Sequence, residues 1–300
     1  MKKECLSIEV IGKIASDYLH NEKIIKFLNL TSQGAFIECG EEHILFVNFE
    51  EFHGPLTANL NGLKNSLHDI PKGDTAVFDQ GRLTFNRSHV QINASNAKIW
   101  KPPLIDEIDL INKEIRKSQT QILAQKISEN RKSEGYSSLV KRIFEPTEYN
   151  KNFIHQNSSN LPDVIKIRDF LLNQDYEKLG QYLENFLGMG IGLTPSGDDF
   201  ILGIILSINR WKTILNIHPS YKILNQRLII RALQRTNMIS AELIRCATLG
   251  QADERLIQAV DYLAGANINM EAVLDGLLNW GNSSGIDAFA GMATAFSTTT

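Results

Sequence analysis

The residues best placed to do chemistry lie in Gly188–Asp199, which reads Gly-Met-Gly-Ile-Gly-Leu-Thr-Pro-Ser-Gly-Asp-Asp. Glycines at alternate positions, Gly188, Gly190 and Gly192, free the backbone for tight turns. They lead to Ser196, a natural helix N-cap, with Asp199 three residues on as a near-match to a capping box. Phe200-Ile201-Leu202-Gly203-Ile204-Ile205-Leu206 is apolar all round, so the helix that follows is expected to be buried. A glycine-rich backbone before a buried helix start exposes unpaired N–H groups, which suits an anion. No Gly-Lys-Ser/Thr follows, so this is not a P-loop. Tyr182–Leu187 reads as helix rather than the strand a dinucleotide fingerprint needs. Adjacent Asp198 and Asp199 would repel a bare phosphate unless Mg²⁺ or a basic side chain intervenes.

The same grammar returns 88 residues later. Ser196–Gly203 and Ser284–Gly291 both fit Ser-Gly-x-Asp-x-x-x-Gly, pairing Gly197 with Gly285 and Asp199 with Asp287. Two such helix starts are expected to converge on one ligand pocket, with the glycine faces packed closely. The plainer reading is a pair of capping boxes, each worth about 1 kcal/mol. A third helix start, Arg235-Thr236-Asn237-Met238-Ile239-Ser240-Ala241-Glu242, carries more hydroxyl and amide groups than a cap requires. Either Thr236 or Asn237 caps it, which leaves Asn237 and Ser240 for ligand hydrogen bonds. Arg235 could neutralise an anion or pair with Asp198. His53 sits in a turn, where a lone histidine is more often structural, and Cys246 reads as a buried, inert thiol.

The elements that must hold these residues follow from pattern. Ser7–Ile14, Ile24–Leu30, Ala35–Cys39, His43–Phe49, Thr75–Phe78, Arg82–Phe85, His89–Ile92 and Ala97–Trp100 read as short strands. Asp79-Gln80-Gly81 is a compact hairpin turn. Strands at this spacing predict a small β-barrel or sandwich over residues 1–103, ended by Lys101-Pro102-Pro103. A helical connection over 104–161 follows, with one long helix from Ile105 to Glu129 whose apolar positions are Ile108, Leu110, Ile111, Ile115, Ile122 and Leu123. Residues 162–300 read as a mainly α-helical domain carrying the glycine loop. Its helices are Asp163–Asn173, Tyr176–Leu187, Gly197–Trp211, Tyr221–Gln234, Met238–Leu249, Arg255–Ala264, Met270–Asn279 and Gly285–Phe296. The fold class is therefore α+β.

Composition narrows the function. The 300 residues hold 31 Lys+Arg against 34 Asp+Glu, a formal charge of −3. Such a balance gives no reason to expect nucleic acid or an anionic membrane as partner. Any anion must be held by a local site. Cys5, Cys39 and Cys246 form neither a disulfide framework nor a zinc pattern. With no signal-peptide core at the start, a reduced, cytoplasmic setting is the expectation.

At the three chemical segments the chain resembles the AllH family. The resemblance rests on Gly-Ile-Gly-Leu-Thr-Pro-Ser-Gly-Asp-Asp-Phe-Ile-Leu-Gly, Arg-Thr-Asn-Met-Ile-Ser-Ala-Glu-Leu and Gly-Asn-Ser-Ser-Gly-Ile-Asp-Ala-Phe-Ala-Gly, and extends in order from about Gly12 to Phe296. It implies a subunit of an oxamate carbamoyltransferase of anaerobic allantoin breakdown, working with two partner subunits. That reaction converts oxalurate and phosphate into oxamate and carbamoyl phosphate. The resemblance places site residues at Gly190, Gly192, Thr194, Ser196, Asp198 and Asp199, at Asn237 and Ser240, and at Ser283, Ser284, Gly285 and Asp287. Asn282 stands where members often carry histidine. Asp198, Asp199 and Asp287 are the candidate catalytic groups, with Asp198 and Asp199 the candidate Mg²⁺ ligands. Gly197 joins the others as substrate- or anion-binding. Two other readings compete: an anion- or nucleotide-binding regulatory module without chemistry of its own, and a scaffold subunit whose glycines serve tight helix packing.

Overall fold

The computed structural model describes residues 6–22, 24–62, 64–104, 113–129, 135–144 and 161–298. The chain divides into two compact units, Met1–Pro103 and Leu104–Thr300. The fold is mixed α+β, a β-barrel followed by a helical region.

The first unit holds strands β1 (Leu6–Gly12), β2 (Ile25–Leu30), β3 (Gly34–Cys39), β4 (His43–Asn48), β5 (Thr57–Asn61), β6 (Thr75–Asp79), β7 (Arg82–Phe85), β8 (Gln91–Asn93) and β9 (Lys98–Trp100), with helix α1 (Lys13–Asn21) after β1. The order β5-β4-β3-β2-β6-β7-β8-β1 closes by a β1–β5 pairing into an eight-stranded barrel. β9 is the extra strand. It takes β1 at Val10–Gly12, while β8 takes Leu6 and Ser7. Leu6, Ile25, Phe27, Ile37, Leu45, Leu83, Phe85 and Ile92 fill the interior, the alternation a small closed barrel needs.

Two elements differ from the sequence expectation. The first strand stops at Gly12 rather than running to Ile14, and α1 buries Ile14, Ala15, Tyr18 and Leu19. Those positions have helical spacing, which a strand reading through Ile14 conceals. β5 is the unexpected strand. Its sequence, Thr-Ala-Asn-Leu-Asn, lacks β propensity, but Ala58 and Leu60 point inward. Buried Asn59 donates to the Asn48 side chain and to the Glu50 and Phe52 carbonyls at 2.8–3.0 Å, which satisfies the polar loop between β4 and β5. The β6–β7 turn is as expected, with Gln80 and Gly81 at φ +46° and +73°.

The second unit comprises α2 (Lys113–Glu129), α3 (Ser137–Phe144), α4 (Val164–Leu172), α5 (Tyr176–Leu183), α6 (Ser196–Arg210), α7 (Tyr221–Arg235), α8 (Met238–Ala247), α9 (Glu254–Leu263), α10 (Met270–Leu278) and α11 (Ser284–Phe296). Of the long expected helix only Lys113–Glu129 lies among the described residues. Its buried face is Arg116, Thr120, Leu123, Ala124 and Ile127. Of the expected apolar positions Leu123 is buried, Ile115 and Ile122 are over 40% exposed, and Ile108, Leu110 and Ile111 lie outside the described residues. The Asp163, Asp175, Asn237, Asp253 and Asn269 side chains each accept a first-turn N–H, which fixes five helix starts locally.

α6 and α11 form the centre, buried from Gly197 to Asn209 and from Gly285 to Phe296. Gly203 lies against the Ala288 carbonyl of α11, and Gly291 against the Phe200 carbonyl of α6. The expected close approach of the two glycine faces is present and reciprocal. No helix among the described residues is long and apolar enough to cross a membrane.

Candidate functional site

The glycine loop is folded by backbone contacts before any side chain acts. Met189 N–H donates to the Phe186 carbonyl and Gly197 N–H to the Met189 carbonyl, at 3.0 and 2.9 Å. Gly188, Gly190 and Gly192 all have left-handed φ, between +74° and +123°, a region that excludes most L side chains. The loop tip is exposed, with Ile191 95% accessible, while Asp198 and Asp199 beneath it are 1% exposed.

Neither echoed serine is a cap. Pro195 and Ser283 occupy the cap positions, no side-chain cap hydrogen bond forms at either helix, and Ser196 and Ser284 are the first helical residues. Their hydroxyls lie near the carboxyl of the opposite helix instead. Ser196 favours ionised Asp287 of α11 and Ser284 favours ionised Asp199 of α6, neither through a formed hydrogen bond. Ser284 Oγ also lies 2.9 Å from Thr194 Oγ1. The capping reading fails because each serine sits one residue inside its helix, past the cap position. The two helix starts do converge, as their shared grammar predicts.

α8 joins them. Asn237 caps it by accepting from Ser240 N–H at 3.0 Å, and its Nδ2 holds the Leu193 carbonyl at 2.9 Å. Thr236 donates its hydroxyl to Asp198 Oδ2, and Gly188 N–H donates to Oδ1 at 2.8 Å. The buried Ser240 hydroxyl also favours ionised Asp198, although it falls short of a formed hydrogen bond. Arg235 does not pair with Asp198; its guanidinium holds the Glu184 carbonyl at 2.8 Å.

Three helix starts thus surround three buried carboxyls. Burial pushes Asp199 well above the usual carboxylate range; the Ser284 hydroxyl opposes this and the Asp287 charge adds to it. Burial also raises Asp198, against the Thr236 and Gly188 donors. It raises Asp287, against the Tyr136 N–H, Ser196 and Ser283. Ser283 Oγ donates to Asp287 Oδ2 at 3.0 Å, and Tyr136 N–H donates to Oδ1. Asp199 Oδ2 has no hydrogen-bond partner among the described residues.

Sequence reasoning did not find Gly135 and Tyr136. They precede α3 in a polar stretch, some 150 residues from Asp287, with no local signal of the contact. Thr236 appeared only as a possible cap. Gly190, Gly192, Thr194, Ser196, Gly197, Asn237, Ser240, Ser283, Ser284 and Gly285 all belong to the three helix starts and the loop before α6. His53 lies in the barrel unit, 3.2 Å from Asn59 Oδ1 and edge-on to Trp100. Cys246 is buried, and burial pushes its thiol up.

The donor set does not suit Mg²⁺. Both Asp198 oxygens already accept donors, and each of the carboxyls is at most 1% exposed, whereas Mg²⁺ usually keeps several waters. Among the described residues no group of three or more His, Cys, Asp or Glu is arranged to hold a metal.

Chemically, the junction offers hydroxyl groups and one under-partnered carboxyl, a combination able to bind a group that both donates and accepts. The first-turn N–H groups of Gly197, Asp198, Asp199, Gly285, Ile286 and Asp287 already donate to backbone carbonyls. No curated protein and no solved structure matches the chain. Its glycine loop and helices α6 to α11 lie in a segment, residues 186–296, that matches the family model of the oxamate carbamoyltransferase subunit AllH.

Proposed function

We propose that this chain is a subunit of an oxamate carbamoyltransferase-like system, acting with other subunits, and that the α6–α8–α11 junction binds its small anionic substrates. The observation that carries the reading is the meeting of three helix starts at one glycine loop, tied by Thr194–Ser284 and Asn237–Leu193 contacts of 2.9 Å. In the proposed reaction a phosphate oxygen attacks the carbamoyl carbon of oxalurate. The bond from that carbon to the inner nitrogen breaks, and the nitrogen leaves as the amide of oxamate, taking the proton that phosphate gives up. Negative charge on the carbamoyl oxygen is stabilised by hydroxyl donors at the helix starts. A buried carboxyl carries the proton. No step requires a metal.

The test is phosphate-dependent turnover in the assembled complex. Asp199→Asn is expected to lower it about 10²–10⁴-fold with the fold intact; a complex turning over at the wild-type rate refutes the reading. A binding module would instead melt higher with phosphate or a nucleotide and show no turnover with any partner. The scaffold reading draws on the reciprocal packing of Gly203 and Gly291. It requires Asp198→Asn and Asp199→Asn to change nothing while Gly203→Leu disrupts folding.

A further inference from the structure

The three carboxyls are not equally provided with donors. Asp287 accepts formed hydrogen bonds from Ser283 Oγ and from Tyr136 N–H. Asp198 accepts from Gly188 N–H and the Thr236 hydroxyl. Asp199, just as buried, keeps Oδ2 without a partner among the described residues; the nearby Ser284 and Thr194 hydroxyls favour its ionised form but bond to each other. An ionised carboxylate buried short of donors is far costlier than a neutral carboxylic acid. Neighbouring carboxyls cannot all ionise, so the donor count decides which holds the proton.

The donor to Asp287 Oδ1 comes from outside the matched segment. Gly135 has φ +63°, and a side chain there would collide with the Asp287 carboxylate. Only glycine lets this backbone approach so closely. Tyr136 is 6% exposed, and its ring meets Phe200, the residue after Asp199, edge-on at 5.7 Å. One turn therefore touches both central helices.

We propose that the Gly135–Tyr136 turn is a positioning element of the junction: its N–H holds Asp287 as the ionised acceptor, which leaves Asp199 carrying the proton on Oδ2 as the acid of the site. The titratable groups that meet here are Asp198 and Asp199 from α6, Asp287 from α11 and the Tyr136 phenol from the start of α3. The use of that proton, delivery to the leaving nitrogen, rests on the proposed reaction. Its location does not.

The experiment is a carboxyl ¹³C NMR titration of the full chain with labelled aspartate, each signal assigned in the wild-type protein. Asp199 is expected to be protonated at pH 7 and Asp287 ionised. Tyr136→Phe keeps the N–H and should leave both unchanged, whereas Gly135→Ala displaces it and should raise the Asp287 midpoint by about one pH unit or more. An ionised Asp199 at pH 7, or a Tyr136→Phe shift as large as that of Gly135→Ala, overturns the proposal. If Gly135→Ala does not fold, the wild-type titration still decides. No turnover is read, so failure of the carbamoyl-transfer reading would leave this result standing.

Discussion

Substituting alanine for Gly203 tests the central packing. An added Cβ would lie 2.0 Å from the Ala288 carbonyl oxygen, and real Cβ atoms essentially never approach closer than 3.0 Å. The helices must then part by at least 1.0 Å, the difference between those distances. Overpacking of this kind costs about 1–3 kcal/mol, and the better helix propensity of alanine returns about 1 kcal/mol at most. Because the clash is with backbone, which cannot swing aside, the upper end of that cost applies, and a net loss of about 2 kcal/mol is expected, read as a lower urea midpoint at unchanged slope. Gly291→Ala makes the mirror contact, 2.0 Å from the Phe200 carbonyl. The separation forced by the first substitution already relieves the second, so the double variant should lose less than the sum of the singles. The same parting would stretch the 2.9 Å Thr194–Ser284 contact at the helix starts and weaken ligand binding. Single variants as stable as wild type, or strictly additive losses, would refute the reciprocal packing argument.

Other expectations concern charge and turn chemistry. Arg210 holds Asp261 through Nε and Nη2, with Trp211 donating to the same carboxylate, and both charged side chains are nearly buried. Arg210→Met should cost about 3–5 kcal/mol by stranding Asp261, measured by chemical denaturation. Asp199 has a folded pKa raised above its unfolded value near 3.8. Its contribution is therefore present below that value and lost as pH rises towards the folded one. Across that window, stability of wild type relative to Asp199→Asn should fall with a limiting slope of about 1.4 kcal/mol per pH unit; parallel profiles would contradict it. Gln80, at φ +46° in the β6–β7 turn, is strained where asparagine is favoured. Gln80→Asn should stabilise by about 0.5–1 kcal/mol, seen as a higher melting temperature.

Much of the helical unit is legible locally. A helix start needs only a short-range acceptor for its own N–H groups, so Asp163, Asp175, Asn237, Asp253 and Asn269 announce theirs without tertiary help. The buried character of α6 follows equally from Phe200–Leu206. The barrel is less legible where pairing replaces propensity: β5 is a strand because β1 and β4 flank it, and no pattern in Thr57–Asn61 says so.

For the site, the parts are written locally in the chain: a glycine loop, two Ser-Gly-x-Asp helix starts and an asparagine-capped third. What those parts do to one another depends on contacts that exist only once the chain is folded. Ser196 and Ser284 sit one residue past the caps their spacing advertises, and Ser284 meets Thr194 of the loop before α6 at 2.9 Å instead. Tyr136 reaches Asp287 across a chain separation that no local pattern encodes. Residue type and spacing fix which groups can donate or accept, but which of three equivalent aspartates keeps a proton depends on donors that only folding brings within reach.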